Sequence, residues 1–260
     1  MTFVDGNRLS KAEIEQWLSQ PRFSTYLRVC DGSVEDALRL YEWNIDMGSV
    51  LMKDIAYLEV ALRNAYDRAL TRHWDDGEGG HWLFSPDSPV NVPLARRTSA
   101  GVRFDANALN RKNIAAATAK DDGKLQPNRT IANLSFGFWA HMTDRAHERV
   151  LWIPVVHHAW PMGTDRSELD AKLRAVNTVR NRIAHHEHLF NARDDSLRPV
   201  HVDRVVMELL GALLPGIDFM NGFHEVPVER YARSHPMNVD VGLDDAGKPW
   251  EMKRGNYELR

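Results

Sequence analysis

The chain has 260 residues, 43% hydrophobic and 27% charged, ordinary globular values for a length that can bury a sizeable core. A net charge of -3 excludes a broad basic field for nucleic acid, so any RNA contact must come from a local cluster. The single cysteine, Cys30, excludes an intramolecular disulfide and fits a reducing compartment.

Ser10 and Glu13 have capping-box spacing for a short helix that ends before Pro21 and covers the core. From Ser33 to Trp74 runs the longest helical signal, carried by Val34, Ala37, Leu38 and Tyr41 and then by Leu51, Ile55, Leu58, Leu62, Ala65 and Leu70. Gly48-Ser49 interrupts it, a place for one helix to end and another to start. Residues 75–92 are rich in Gly, Asp, Ser and Pro and read as a loop within a domain. Residues 94–120 read as helix with a weak apolar face. There Arg96, Arg97, Arg103, Arg111 and Lys112 outnumber Asp105 and form the candidate RNA-binding surface, with a plain solvated helix face as the alternative. In PNRTIANLSFGFWAHMTDRAHERVLW, Asn128 or Thr130 is the expected cap, and Leu134, Phe138 and Met142 line one helical face. Gly137, between two Phe residues, would let another helix approach closely, and Pro154 and Pro161 break the pattern.

The stretch TDRSELDAKLRAVNTVRNRIAHHEHLF, from Thr164 to Phe190, carries the chemistry. Asp165 and Glu168 mark a helix start, and Leu169, Leu173, Val176, Val179 and Ile183 form one apolar stripe. Arg180 interrupts that stripe, and Arg174, Asn177, Asn181, His185 and His188 run beside it. A guanidinium on an apolar face needs partners, because an unpaired buried charge is costly. Beyond the stretch, NARDDSLRP is a turn and VDRVVMELLGALL an apolar core helix. The last 40 residues show little periodicity, and VDVGLDDAGKPWEM suits a small hairpin or an extended arm. The most apolar window, Val205 to Ile217, is interrupted by Glu208 and Pro215, so no membrane span is expected; with no signal-like N-terminal pattern, a cytoplasmic location is the expectation.

The pattern Arg180-Asn181-x-x-x-His185, followed by His186-Glu187, resembles the RNxxxH motif of HEPN-domain ribonucleases. Arg-x4-His occurs three times, at Arg68/His73, Arg180/His185 and Arg230/His235, but only Arg180 is followed by Asn. The wider run AHHEHLFNARDD, with YLEVALRNAYDRAL and LSFGFWAHM, resembles the Abi-like (abortive infection) branch of that group. The resemblance implies an all-α, HEPN-like helical bundle with extra helices spanning 1–220 and an irregular C-terminal extension, 221–260, packed on it. It further implies a metal-independent, cofactor-free endoribonuclease of phage-defence or toxin type, acting on RNA and held in check by an RNA or protein antitoxin. Family members commonly pair as homodimers with motif helices facing each other, and Arg63 of the early helix would approach the Arg180 site. Pairing of Arg63 with Glu59 one turn away is the alternative. Glu187 departs from HEPN toxins that carry a modifiable Tyr at that position.

Metal-free RNA cleavage needs a base for the 2′-OH, an acid for the departing 5′-oxygen and positive charge for the phosphorane. His185 has a side chain suited to both proton transfers, Arg180 to gripping phosphate and Asn181 to orienting either. Arg174, Asn177, His186, Glu187, His188 and Arg63 are the supporting set. On an ideal helix Arg180 and His185 point roughly 140° apart, which is the physical reason to expect a site completed by a second copy. Other readings stay open: a non-catalytic RNA- or nucleotide-binding helical module, or a structural Arg180 tied to Glu59 or Glu187. A metal held by His185, His186 and His188 with His157 and His158 lacks HExxH or paired-Cys spacing.

Overall fold

The protein is described here by a computed structural model covering residues 10–120 and 123–243. Its organising element is α3, Val34–His73, a single helix of 40 residues and therefore about 60 Å long. Ser33 caps it by accepting the Asp36 N–H, and Glu35 and Asp36 at the start with Arg72 and His73 at the end complement the helix dipole. Leu40, Met47, Leu51, Ile55, Leu58, Leu62, Tyr66 and Leu70 are buried along its length. Gly48-Ser49 does not divide this helix, contrary to the local propensity. Gly48 is where Ile183 packs, its Cγ2 lying 3.4 Å from where a Cβ would sit, and the Ser49 hydroxyl bonds back to the Ile45 carbonyl. Close approach, and not a break, explains the glycine.

Before α3 lie α1 (Lys11–Leu18), with the Ser10/Glu13 capping box formed as expected, and α2 (Gln20–Val29), with Pro21 in its first turn. Ile14, Leu18, Phe23 and Tyr26 seal this end of the core. After α3 the chain is irregular through residue 94, though Trp82 is fully buried and donates to Asp67.

Residues 94–107 correct the helical reading of that region. Ala95–Arg97 (β1) and Arg103–Asp105 (β2) form an antiparallel hairpin, turning through Gly101 at φ +80°, and only Ala108–Ala119 (α4) is helical. Asp105 stops the hairpin and starts the helix, because its carboxylate accepts the Leu94 and Asn107 N–H groups and pairs with Arg111. The expected helix over PNRTIANLSFGFWAHMTDRAHERVLW is likewise divided. It comprises α5 (Pro127–Asn133), α6 (Phe136–His141), a 3-10 turn at Arg145–His147 and a π-turn at Glu148–Trp152 just ahead of Pro154. Gln126, not Asn128 or Thr130, precedes α5, which Pro127 opens and where Thr130 is buried.

The motif helix, α7 (Arg166–Ala184), starts where Asp165 accepts the Glu168 N–H at 2.8 Å. It runs antiparallel to α3: Arg166 near its start donates to the Thr143 carbonyl beside Tyr66, and Ile183 at its end rests on Gly48. The apolar helix α8 (Pro199–Leu213) shares the most extensive interface with α3, as its composition led one to expect. In the stretch expected to be irregular, Pro227–Ser234 forms α9 against α3 and α8. Within VDVGLDDAGKPWEM, the described residues 239–243 take the extended-arm form: Val241 O accepts the Val200 N–H, and Asp240 exchanges two bonds with Asn191. The rest of that run lies outside the described residues. The fold is all-α, and among the described residues no helix is long and apolar enough to cross a membrane.

Candidate active site

The end of α7 is closed by a Schellman motif. His185 is the C-cap, His186 N–H bonds to Ile183 O at 3.0 Å, and Glu187 N–H bonds to Arg182 O at 2.9 Å. The residue that must turn left-handed here is His186, at φ +54°, where glycine is the usual occupant. This turn leaves the side chains of Asn181, His185, His186, Glu187 and His188 exposed, while Leu189 and Phe190 return to the core.

Two remote residues hold the turn in place. Asn44 of α3, only 2% exposed, donates to the Glu187 carbonyl at 3.2 Å and accepts the Leu189 N–H at 2.8 Å. Arg22 of α2 donates to the His185 carbonyl at 3.3 Å. Neither was legible as functional from the sequence; the one signal for Asn44 is a polar amide within the buried face of α3, between Leu40 and Met47.

One turn back, Arg180 is half-buried and shares its surroundings with Arg63 and Glu59 of α3. Burial pushes the Glu59 carboxyl above its usual range, while Arg180, then Arg63, then the Phe136 N–H at the start of α6 draw it back. The Nε atoms of both Arg63 and Arg180 are buried without a hydrogen-bond partner. Two guanidinium groups thus face one carboxylate, an excess of positive charge with unfilled donors. Arg63 and Arg180 both act on Glu59 through their charge, but among the described residues no ion pair joins either of them to it.

The supporting residues divide. Asn177 packs on Gly137, its Oδ1 3.3 Å from where a Cβ would stand, so the glycine admits α7 against α6 as expected. Arg174 is exposed and paired with Asp170 at 2.8 Å, three turns from His185. Arg182 reaches Glu187 at 3.9 Å. His188 lies against Phe190, and burial, then the charge of Arg182, holds its ring below the ordinary histidine range and hence toward the neutral form. The candidate RNA-binding arginines sit elsewhere. Arg96 donates to Ala146 O, Arg97 to Gly101 O, and Arg111 to Asn91 O and Asp105, while Arg103 and Lys112 are exposed. The structure therefore spends Arg96 and Arg111 on bracing the hairpin and α4.

A family model described as Abi-like protein matches residues 17–191, which takes in α3, α6 and α7 with the whole of the site. No curated protein and no solved structure matches the chain.

Proposed function

The chain belongs to the Abi-like protein family, and we propose that it is a metal-independent endoribonuclease of abortive-infection or toxin type, working through a HEPN-like site at the end of α7. The observation that supports this most is the pair of half-buried guanidinium groups, Arg180 and Arg63, with unfilled Nε donors beside the exposed Asn181 and His185. A dianionic phosphorane is the kind of ligand that such an arrangement stabilises. In this reading Arg180 grips the scissile phosphate, Arg63 supplements its charge, Asn181 orients it, and His185 transfers protons between the 2′-OH and the departing 5′-oxygen. The charge of Glu59 offsets part of the repulsion between the two guanidinium groups.

His185 caps the helix and Arg180 sits a turn earlier, half within the apolar stripe, so the reading includes a homodimer in which the motif helices meet across a two-fold axis. An RNA or protein antitoxin would act by covering this end of α7, in the cytoplasm where RNA is available. The arginines of the hairpin and α4 with Lys112 would add weaker, salt-dependent phosphate contacts.

The test is cleavage of single-stranded RNA in EDTA, leaving a 2′,3′-cyclic phosphate and a 5′-OH. His185→Ala should lower the rate about 10²–10⁴-fold and Arg180→Ala about 10²–10³-fold, the usual sizes for a lost proton-transfer group and a lost transition-state charge. Mixing the two variants should restore part of the activity if the site is composite. RNA held uncut would instead identify a binding module, and equal cutting of RNA that lacks the 2′-OH would overturn the mechanism.

A further inference from the structure

Three donors that the Arg180/His185 site does not use converge beneath the hairpin. His141 is the last residue of α6, Asp144 caps the 3-10 turn Arg145–His147, and His147 closes that turn. Asp144 Oδ2 lies 3.0 Å from His141 Nδ1, and Asp144 Oδ1 lies 2.7 Å from His147 Nδ1. Taking one ligand atom from each, all three fall within 4.8 Å of one another. His147 is fully buried and Asp144 nearly so.

The far nitrogen of each ring is already committed. His141 Nε2 faces the Ala106 carbonyl at 3.3 Å, and His147 Nε2 faces Asn107 Oδ1 at 2.9 Å. The Asn107 amide cannot be turned over, because its Nδ2 donates to Pro89 O at 2.8 Å and Val92 O at 2.7 Å. Asn110 Nδ2 donates to the same Asn107 oxygen at 2.9 Å and stands 3.5 Å from His147 Nε2, a weaker contact. A carbonyl oxygen only accepts, so both rings carry a proton on Nε2.

That leaves each Nδ1 lone pair facing an oxygen of Asp144. Acceptor facing acceptor in a buried space is unfavourable unless positive charge lies between. Two extra protons would supply it, at the expense of confining two imidazolium rings around one carboxylate. One divalent ion would also supply it, and an outward N–H held by a carbonyl is the arrangement that orients metal-bound histidines.

We propose that His141 Nδ1, the Asp144 carboxylate and His147 Nδ1 form a structural site for one divalent transition-metal ion of the zinc class. Imidazole nitrogen and carboxylate oxygen at about 2.0–2.2 Å from such an ion stand about 3–3.5 Å from each other; the two nitrogen-to-carboxylate spacings are 3.0 and 2.7 Å and the three donor atoms lie within 4.8 Å, so a small inward shift of the rings closes the site. The ion would join α6 and its following turn to Ala106 and Asn107, the joint between the hairpin and α4. It takes no part in the proposed RNA chemistry. Arg174 of α7 acts through its charge on both Asp144 and His141, and His185 lies about 16 Å further along the helix axis.

The experiment uses the full chain, stripped with EDTA, dialysed and titrated with Zn²⁺ by calorimetry, with metal content measured after desalting. The expected result is one equivalent per chain, a melting temperature several degrees higher with Zn²⁺ than in EDTA, and a Co²⁺ derivative with visible d–d bands but no thiolate charge transfer. His141→Gln, at the most exposed of the three ligands, and Asp144→Asn should each lose the equivalent and the melting shift. Stripped wild-type protein that takes up no metal at micromolar Zn²⁺ overturns the proposal and leaves an ionic network. Retention of the equivalent in folded His141→Gln, or in Asp144→Asn, overturns it as well and assigns the metal to other histidines. RNA cleavage in EDTA below the metal-free melting point is measured separately, so failure of the nuclease reading and failure of the metal site remain distinguishable.

Discussion

Replacing Asn44 by Ala tests whether a buried amide on α3 positions the motif turn. Asn44 is 2% exposed and makes two bonds to that turn, at 3.2 Å to Glu187 O and 2.8 Å from Leu189 N. Its loss strands the Leu189 N–H, which sits in a residue 2% exposed, at about 1–3 kcal/mol. Glu187 is exposed, so its carbonyl can turn to water and adds only about 0.5–1 kcal/mol. The sum, about 1.5–4 kcal/mol, is a large part of a typical domain's stability of about 5–15 kcal/mol. Urea unfolding should show a lower midpoint at unchanged slope. Hydrogen exchange at the Leu189 amide should accelerate roughly 10- to 700-fold, at about tenfold per 1.4 kcal/mol. If His185 is catalytic, RNA cleavage by the folded variant should also fall, since a displacement of about 1 Å is worth on the order of 10²-fold. A stability change under about 0.5 kcal/mol with Leu189 protection unchanged would refute the reasoning.

Three further outcomes follow from other positions. Gly48→Ala should be tolerated and gain up to about 1 kcal/mol of helix propensity, since the added Cβ meets Ile183 and Leu189 at 3.4 and 3.5 Å, whereas Gly48→Leu should push α7 away; denaturation midpoints of the two compared with wild type check this. His186→Gly should raise the melting temperature by relieving a left-handed residue, worth about 1 kcal/mol, and a lower value would show that the His186 side chain makes a stabilising contact. Asp203 is fully buried with Oδ1 unbonded, and burial pushes its carboxyl up to about 7. Its folded value exceeds the unfolded one of about 3.9, so the native state holds the proton more tightly and stability falls as pH rises from about 4 to about 7. Asp203→Asn keeps the acceptor for the Val228 N–H and should flatten that slope by about 4 kcal/mol across the interval, read from urea midpoints at pH 4, 5.5 and 7.

Much of this architecture is local and was open to reading. Ser10/Glu13, Ser33 and Asp165/Glu168 announce helix starts because caps satisfy N–H groups within a few residues. The stripe Leu169, Leu173, Val176, Val179 declares which face of α7 turns inward, and Arg180 stands out against it. Those signals, with the Asn after Arg180, sufficed to locate the candidate site. What they could not express is anything whose partner lies far along the chain. Gly48 reads as a helix breaker until Ile183 and Leu189 are seen packed against it. Arg96 and Arg111 read as a basic surface until Ala146 and Asp105 are found to hold them. His141, Asp144 and His147 are close in sequence, yet their ring protons are set by Ala106 and Asn107, brought there by a hairpin that local propensity mistook for helix. Propensity and capping act within a turn or two, so the sequence alone determined where α1, α3 and α7 start and where the reactive residues fall on α7. Packing between segments 40 to 145 positions apart decided which charges stay unpaired, and so where an anion or a metal ion has somewhere to bind.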